Sequence, residues 1–123
     1  MVRRATRMDL YHVWCNLRLG VSDVAFCDRV DAYLGRLRED RLIEGHRITR
    51  RKLGFGPREL GEFHITIEVR DLAQLDRAFS AVAERAGAIE GLHQAVNSLA
   101  CDLTFALYRD FPDAVRKRGE EKF

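Results

Sequence analysis

The sequence of 123 residues holds only two prolines, Pro57 and Pro112, and both sit at the edges of patterned segments. Proline therefore breaks no helix or strand interior. Three cysteines, Cys15, Cys27 and Cys101, make an odd number without C-x-x-C spacing. That argues against a disulfide framework and a zinc knuckle, and it fits reduced thiols in the cytoplasm. No apolar run approaches the roughly 18 residues of a membrane span. Arg3, Arg4 and Arg7 open the chain, but no apolar segment follows them as a signal peptide requires. Charge of one sign is also missing, since 21 basic and 19 acidic side chains leave a formal net charge of +2. So small an excess gives no electrostatic argument for nucleic acid or a membrane surface as partner. There is no internal repeat, low-complexity tract or linker.

What the sequence does have is the composition of one packed domain, with 46% hydrophobic and 33% charged residues. A single domain is expected over residues 1–123, with an ordered core from about 8 to 113. The basic ends, including Arg116, Lys117, Arg118 and Lys122, read as solvated and frayed, and Met8 is a candidate start.

Residues 9–19 alternate, with Tyr11, Val13, Cys15, Leu17 and Leu19 in one set and His12, Trp14, Asn16 and Arg18 in the other. That period of two predicts a strand. Gly20 ends it, and Ser22 is placed to cap a helix from Asp23 to about Glu39. Phe26, Val30, Tyr33, Leu34 and Leu37 form its apolar stripe, with Cys27 beside it. Residues 43–53 and 62–69 flank a G-F-G-P turn and read as a hairpin. In the second of these, Phe63, Ile65, Ile67 and Val69 oppose Glu62, His64, Thr66 and Glu68. Asp71 and Gln74 have capping-box spacing and open a helix striped by Leu72, Leu75, Phe79, Val82 and Ala83, which stops at Gly87. A short helical turn fits Glu90 to Ser98. Residues 101–108 alternate again, with Cys101, Leu103, Phe105 and Leu107 opposite Asp102, Thr104, Ala106 and Tyr108. The order is β-α-β-β-α-β, an α+β ferredoxin-like sandwich. Right-handed crossovers put the first and third strands at the centre of an antiparallel sheet, with both helices on one face.

The other face should gather His12, Trp14, Asn16 and Arg18 beside Glu62, His64, Thr66 and Glu68, flanked by Asp102, Thr104 and Tyr108. Leu10 and Trp14 in its middle call for cover, and a second copy of the same face is the simplest cover. A homodimer is therefore expected, with Arg18, Arg47, Arg50, Arg51 and Lys52 available to Glu62, Glu68 and Asp102. The parity of the second strand stays open.

On these residues, and on the segments MDLYHVWCNL and NSLACDLTFALYRDFPD, the chain resembles the dimeric α+β barrel superfamily. Within it, the chain is most similar to a bacterial family of dimeric ferredoxin-like proteins without an assigned function. The resemblance covers about residues 8 to 113 and implies two sheets pairing into a dimeric α+β barrel. It adds no reaction, because other branches include cofactor-free monooxygenases, isomerases, polyketide cyclases and haem-degrading enzymes. The haem-degrading pattern of Asn, Trp and His does not match Asn16, Trp14 and His93 residue by residue. No haem or other cofactor is expected.

His12 and His64 are the candidate catalytic pair, able to transfer a proton with Glu62 or Glu68 setting the imidazole's charge. Trp14, Asn16, Glu68 and Tyr108 are candidate ligand-binding residues, and the candidate ligand is a small organic molecule. Its pocket is expected near the polar strand faces or in the cleft between sheet and helices. The blander reading is an interface in which the polar face only specifies the dimer. Metal ligation is not expected, since no H-x-H, H-x-x-x-H or C-x-x-C spacing occurs. The cysteines read as core, with Cys15 and Cys101 facing the helices. RNA-recognition domains share this topology, but Glu62 and Glu68 on the open face would repel phosphates, so no nucleic acid is expected.

Overall fold

A computed structural model describes residues 7–84 and 87–112. Arg3, Arg4, Arg116, Lys117, Arg118 and Lys122, read above as frayed ends, lie outside the described residues. The chain runs β1 (Asp9–Leu17), α1 (Asp23–Glu39), β2 (Gly45–Arg50), β3 (Phe63–Val69), α2 (Leu72–Ala83), α3 (Gly87–Asn97) and β4 (Ala100–Arg109). The four strands form one antiparallel sheet in the order β2-β3-β1-β4, so β1 and β3 are central.

This is the ferredoxin-like α+β sandwich expected from the pattern, with two corrections. The sheet is open and does not close into a barrel: β2 pairs only with β3 and β4 only with β1, which leaves both as edges. The expected dimeric α+β barrel is therefore wrong for this chain. The turn foreseen near Glu90 is in fact an 11-residue helix, α3, which starts at Gly87 with φ of 74° and packs on α1. The positive φ that suits glycine both separates α2 from α3 and re-aims the chain.

Helix α1 forms because its apolar residues recur every three or four positions and its ends are satisfied. Ser22 Oγ accepts from the Ala25 backbone N–H at 3.2 Å, and Arg36 and Arg38 lie in the last turn, against the negative end of the dipole. Phe26, Val30, Leu34 and Leu37 are buried against Cys15, Phe63, Ile65 and Val69 of the sheet. Burial of each such side chain contributes about 1.5–3 kcal/mol. At the start of α2, Asp71 accepts from the Gln74 N–H at 2.8 Å, as its spacing foretold. The Gln74 side chain is wholly buried, accepting from Arg70 N and donating to Arg41 O and Glu44 Oε2. Its polar atoms are thereby satisfied, which burial demands.

A bulge interrupts the β1–β4 ladder between Trp14 and Asn16, where Asp102 takes a φ of 54°. The extra residue reverses parity below it. Leu103, Phe105 and Leu107 keep to the helix side, but Cys101 pairs with Asn16 and lies half-buried on the open side. The expectation that Cys101 faces the core is corrected accordingly. The second strand's parity is now fixed: Arg47 and Thr49 pair with Thr66 and His64 on the open face, and Ile48 and Arg50 face the helices.

Gly61 and Gly35 give opposite tests of this packing. A Cβ on Gly61 would overlap the backbone of Cys15, which cannot yield, whereas one on Gly35 meets nothing within 4 Å inside α1. Gly61→Ala is expected to destabilise by at least about 1–3 kcal/mol. Gly35→Ala is expected to stabilise by about 0.5–1 kcal/mol. Urea unfolding of both variants reads the two signs.

Candidate functional site

Two places on the fold concentrate chemistry, one on each face of the sheet. On the open face, β1 and β3 set His12 and His64 on diagonal neighbours of the ladder, because Trp14 pairs with His64 and His12 with Thr66. Their rings stack 5.0 Å apart and His12 Nδ1 lies 2.8 Å from His64 Nε2. Two imidazoles share such a bond only if one donates an N–H and the other offers a bare nitrogen. The Thr66 hydroxyl lies 3.3 Å from the same His64 nitrogen. Trp14 covers His64 in a parallel stack at 4.5 Å, and Tyr108 meets His12 edge-on at 5.0 Å. Burial lowers the pKa of His12, and burial followed by the neighbouring His12 lowers that of His64. The pair is thus held toward neutrality.

The remaining sequence candidates are arranged around this pair rather than in it. Glu62 Oε2 accepts from Arg50 Nε at 2.6 Å, and Arg50 also bonds Asp23 at 3.0 Å. The Glu62 carboxylate is tied to a guanidinium, with no hydrogen bond to either imidazole. Asn16 uses both ends of its amide, donating to Asp102 Oδ2 at 3.1 Å and accepting from the Glu62 backbone N–H at 2.9 Å. It braces the bulge against the start of β3. Glu68 lies across from Gly45, whose missing Cβ leaves room for the carboxylate. Tyr108 is largely exposed on the edge strand. Among the described residues, no group of three His, Cys, Asp or Glu side chains could hold a metal ion.

The second place is a cavity of about 280 Å³ between the helix side of the sheet and the helices. Val30, Leu34, Ile65, Ile67 and Phe105 give it apolar walls. Four polar side chains enter it: Tyr11 from β1, Tyr33 from α1, and His93 and Asn97 from α3. None of the four has a hydrogen-bond partner among the described residues. Tyr11 is set between Phe79, edge-on at 5.3 Å, and Phe105, stacked at 6.0 Å. Tyr33 leans on His93 at 5.4 Å. Burial, and then nearby Tyr11, pushes the Tyr33 phenol up to about 12, and burial raises that of Tyr11, so both stay protonated donors near neutral pH. No charged side chain lines the cavity among the described residues.

The pattern of the sequence placed Tyr11 and Tyr33 in apolar sets, weighed His93 only against a haem motif, and did not mark Asn97. The available signal was the polar tip each carries within an otherwise apolar stripe, together with the i, i+4 spacing of His93 and Asn97 on one helix face.

The open sheet, its helical layer and this cavity define a ferredoxin-like α+β protein. The chain belongs to the family of unknown function DUF6614, which matches residues 8–123. No curated protein matches it. Among solved structures, a hypothetical protein of Arabidopsis thaliana is similar with a TM-score of 0.63 at 6% identity, over 94% of this chain and 97% of that one. A dimeric ferredoxin-like protein of unknown function from Bacteroides fragilis gives 0.53 at 10% identity, over 84% and 96%. A dimeric ferredoxin-like protein of unknown function from Thermobifida fusca gives 0.51 at 9%, over 88% and 95%. Identities this low speak for the fold alone. They support the ferredoxin-like part of the expected resemblance, while the open sheet overturns its placement with the barrels. No helix among the described residues is long and apolar enough to cross a membrane.

The histidine pair makes a prediction about pH. Both imidazoles bind protons less readily folded than unfolded, so the unfolded chain holds more protons below the ordinary histidine pKa of about 6.5. Their contribution to stability is therefore complete above that pH and is lost as the pH falls through it toward the lowered folded values. The urea midpoint should fall between pH 7.5 and pH 5.5. A double His12→Gln, His64→Gln variant should show a flatter profile over the same interval.

Proposed function

We propose that the protein is a homodimer that binds a small, largely apolar organic molecule in the cavity between sheet and helices. The observation that carries this reading is the set of four polar side chains converging, without partners among the described residues, on an apolar space. Among the described residues no buried side-chain nitrogen or oxygen lacks a partner, so these four polar tips are not sealed in the core but stay open to water or a ligand. A ligand site leaves a few polar groups aimed into an apolar cleft. Its occupant would exchange water at Tyr11, Tyr33, His93 and Asn97 for its own donors and acceptors, and it would cover the apolar walls.

The homodimer reading rests on the other face. Leu10, His12, Trp14 and His64 form a half-buried, largely aromatic patch that a second copy would cover without closing the sheet. Two of the similar solved proteins are described as dimeric. Three free cysteines, including the buried Cys15 with its thiol pushed up to about 11, suit a reducing cytoplasm.

A second reading puts acid–base chemistry on the open face, with His12 and His64 passing a proton and Trp14, Glu68 and Tyr108 around a substrate. The 2.8 Å contact between the imidazoles favours it, since a shared proton is a ready relay. The engagement of Glu62 by Arg50 and of both ends of Asn16 weighs toward the plainer role, a polar network that specifies the dimer.

Native mass spectrometry of protein purified from a bacterial host separates these readings. The cavity reading expects a dimer mass with a reproducible small-molecule adduct. Ala100→Leu, which fills the cavity from a position only 3% exposed, should abolish the adduct. Trp14→Glu should yield a monomer. A His12→Asn, His64→Asn variant that keeps the adduct supports the cavity, whereas loss of the adduct there and its survival in Ala100→Leu would move the site to the open face.

A further inference from the structure

The cavity does not end at the helical layer. Phe79, Leu103 and Phe105 line it and are also 48%, 42% and 55% exposed. They form its rim on the β4 side. The alternation of β4 carries the same row onward to Leu107, which is 52% exposed and pairs with Tyr11 on the helix side of the sheet. From Leu103 to Leu107 the row is about 14 Å long, at about 3.4 Å per strand residue. The row stays exposed among the described residues, and Phe79 of α2 stands near its inner end through its contact with Tyr11. The result is an apolar space with polar groups inside and an apolar track leading out of it.

We infer that the ligand of this cavity is an uncharged amphiphile with an aliphatic chain too long for the cavity. Its hydroxyl or carbonyl end would lie among Tyr33, His93 and Asn97, and its chain would run out along Phe105 and Leu107. This inference rests on the cavity reading and deepens it. Three observations support it together. Among the described residues, those lining the cavity carry no formal charge to match an ionised head, and burying an unpaired charge there is costly. The available donors and acceptors suit a hydroxyl or carbonyl. The track is a single row of side chains continuous with the rim, a width suited to a chain. It is bounded on the far side of the strand by the polar Thr104 and Tyr108, which face the other way.

Size sets the test. At roughly 30 Å³ per non-hydrogen atom, the share of a water molecule in the liquid, a cavity of about 280 Å³ takes about nine such atoms. That is 1-octanol, so any longer chain must lie on the track. Competition binding with 1-hexanol, 1-octanol, 1-decanol and 1-dodecanol, each below its solubility limit, measures the gain per methylene. Full burial gives about fourfold per methylene, and a half-exposed track should give about twofold beyond octanol. Leu107→Gln should flatten the gain from octanol to dodecanol. The matching carboxylates should bind more weakly than the alcohols at every length.

Failure to bind hexanol in the wild-type protein would overturn the cavity reading and this inference with it. Hexanol binding followed by a plateau at octanol would leave the cavity intact and overturn the track, as would a second copy seated on the β4 row. Carboxylates binding as tightly as the alcohols would overturn the uncharged head.

Discussion

Strand β1 is hydrogen-bonded along both edges, to β3 on one side and β4 on the other, and this decides which face of the sheet each of its side chains occupies. A strand fixed on two sides cannot slip by one residue without exchanging its faces. Tyr11, Val13 and Cys15 are thereby held on the helix side, and His12, Trp14 and Asn16 on the open side. The register that buries Cys15 beneath α1 is the same one that brings His12 within 2.8 Å of His64. Core packing beneath α1 and the histidine pair follow from the same register, while the cavity also needs α1 and α3.

The two faces use polarity in opposite ways. On the open face several polar groups satisfy one another, imidazole with imidazole and Asn16 with Asp102 and the Glu62 backbone, while Arg50 holds the Glu62 carboxylate from the helix side. Such bonds rigidify their surroundings. On the helix side, two half-buried phenols, a half-buried imidazole and the exposed amide of Asn97 line an apolar cavity without a hydrogen-bond partner among the described residues. In the proposed site the apolar walls would supply affinity and the polar tips orientation.

Much of the architecture was legible because it rests on local periodicity. The alternation of β3, the Asp71–Gln74 cap and the stripe of α1 each appear in the structure where the pattern put them. Three features were not legible, each for a physical reason. The bulge at Asp102 turns on one residue adopting a positive φ, which alternation alone does not reveal, so Cys101 was assigned to the wrong face. Barrel closure depends on whether the edge strands find partners, and nothing in the alternation of β2 or β4 states that they stay edges. The cavity depends on α3, whose placement over the sheet follows from long-range packing on α1. The proximity of His12 and His64 followed from strand order and parity, whereas the engagement of Glu62 by Arg50 needed the parity of β2.

The central claim is that the helix side of the sheet receives the ligand while the open face serves assembly. Amide chemical shifts recorded by NMR during a titration with 1-hexanol test it most directly. The account predicts that the largest changes cluster at Tyr33, at His93 to Asn97 and at Ala100, with Thr49, Thr66 and Ala106 nearly unmoved. Changes confined to Thr49, Thr66 and Ala106 would contradict it, because they would put the ligand on the open face.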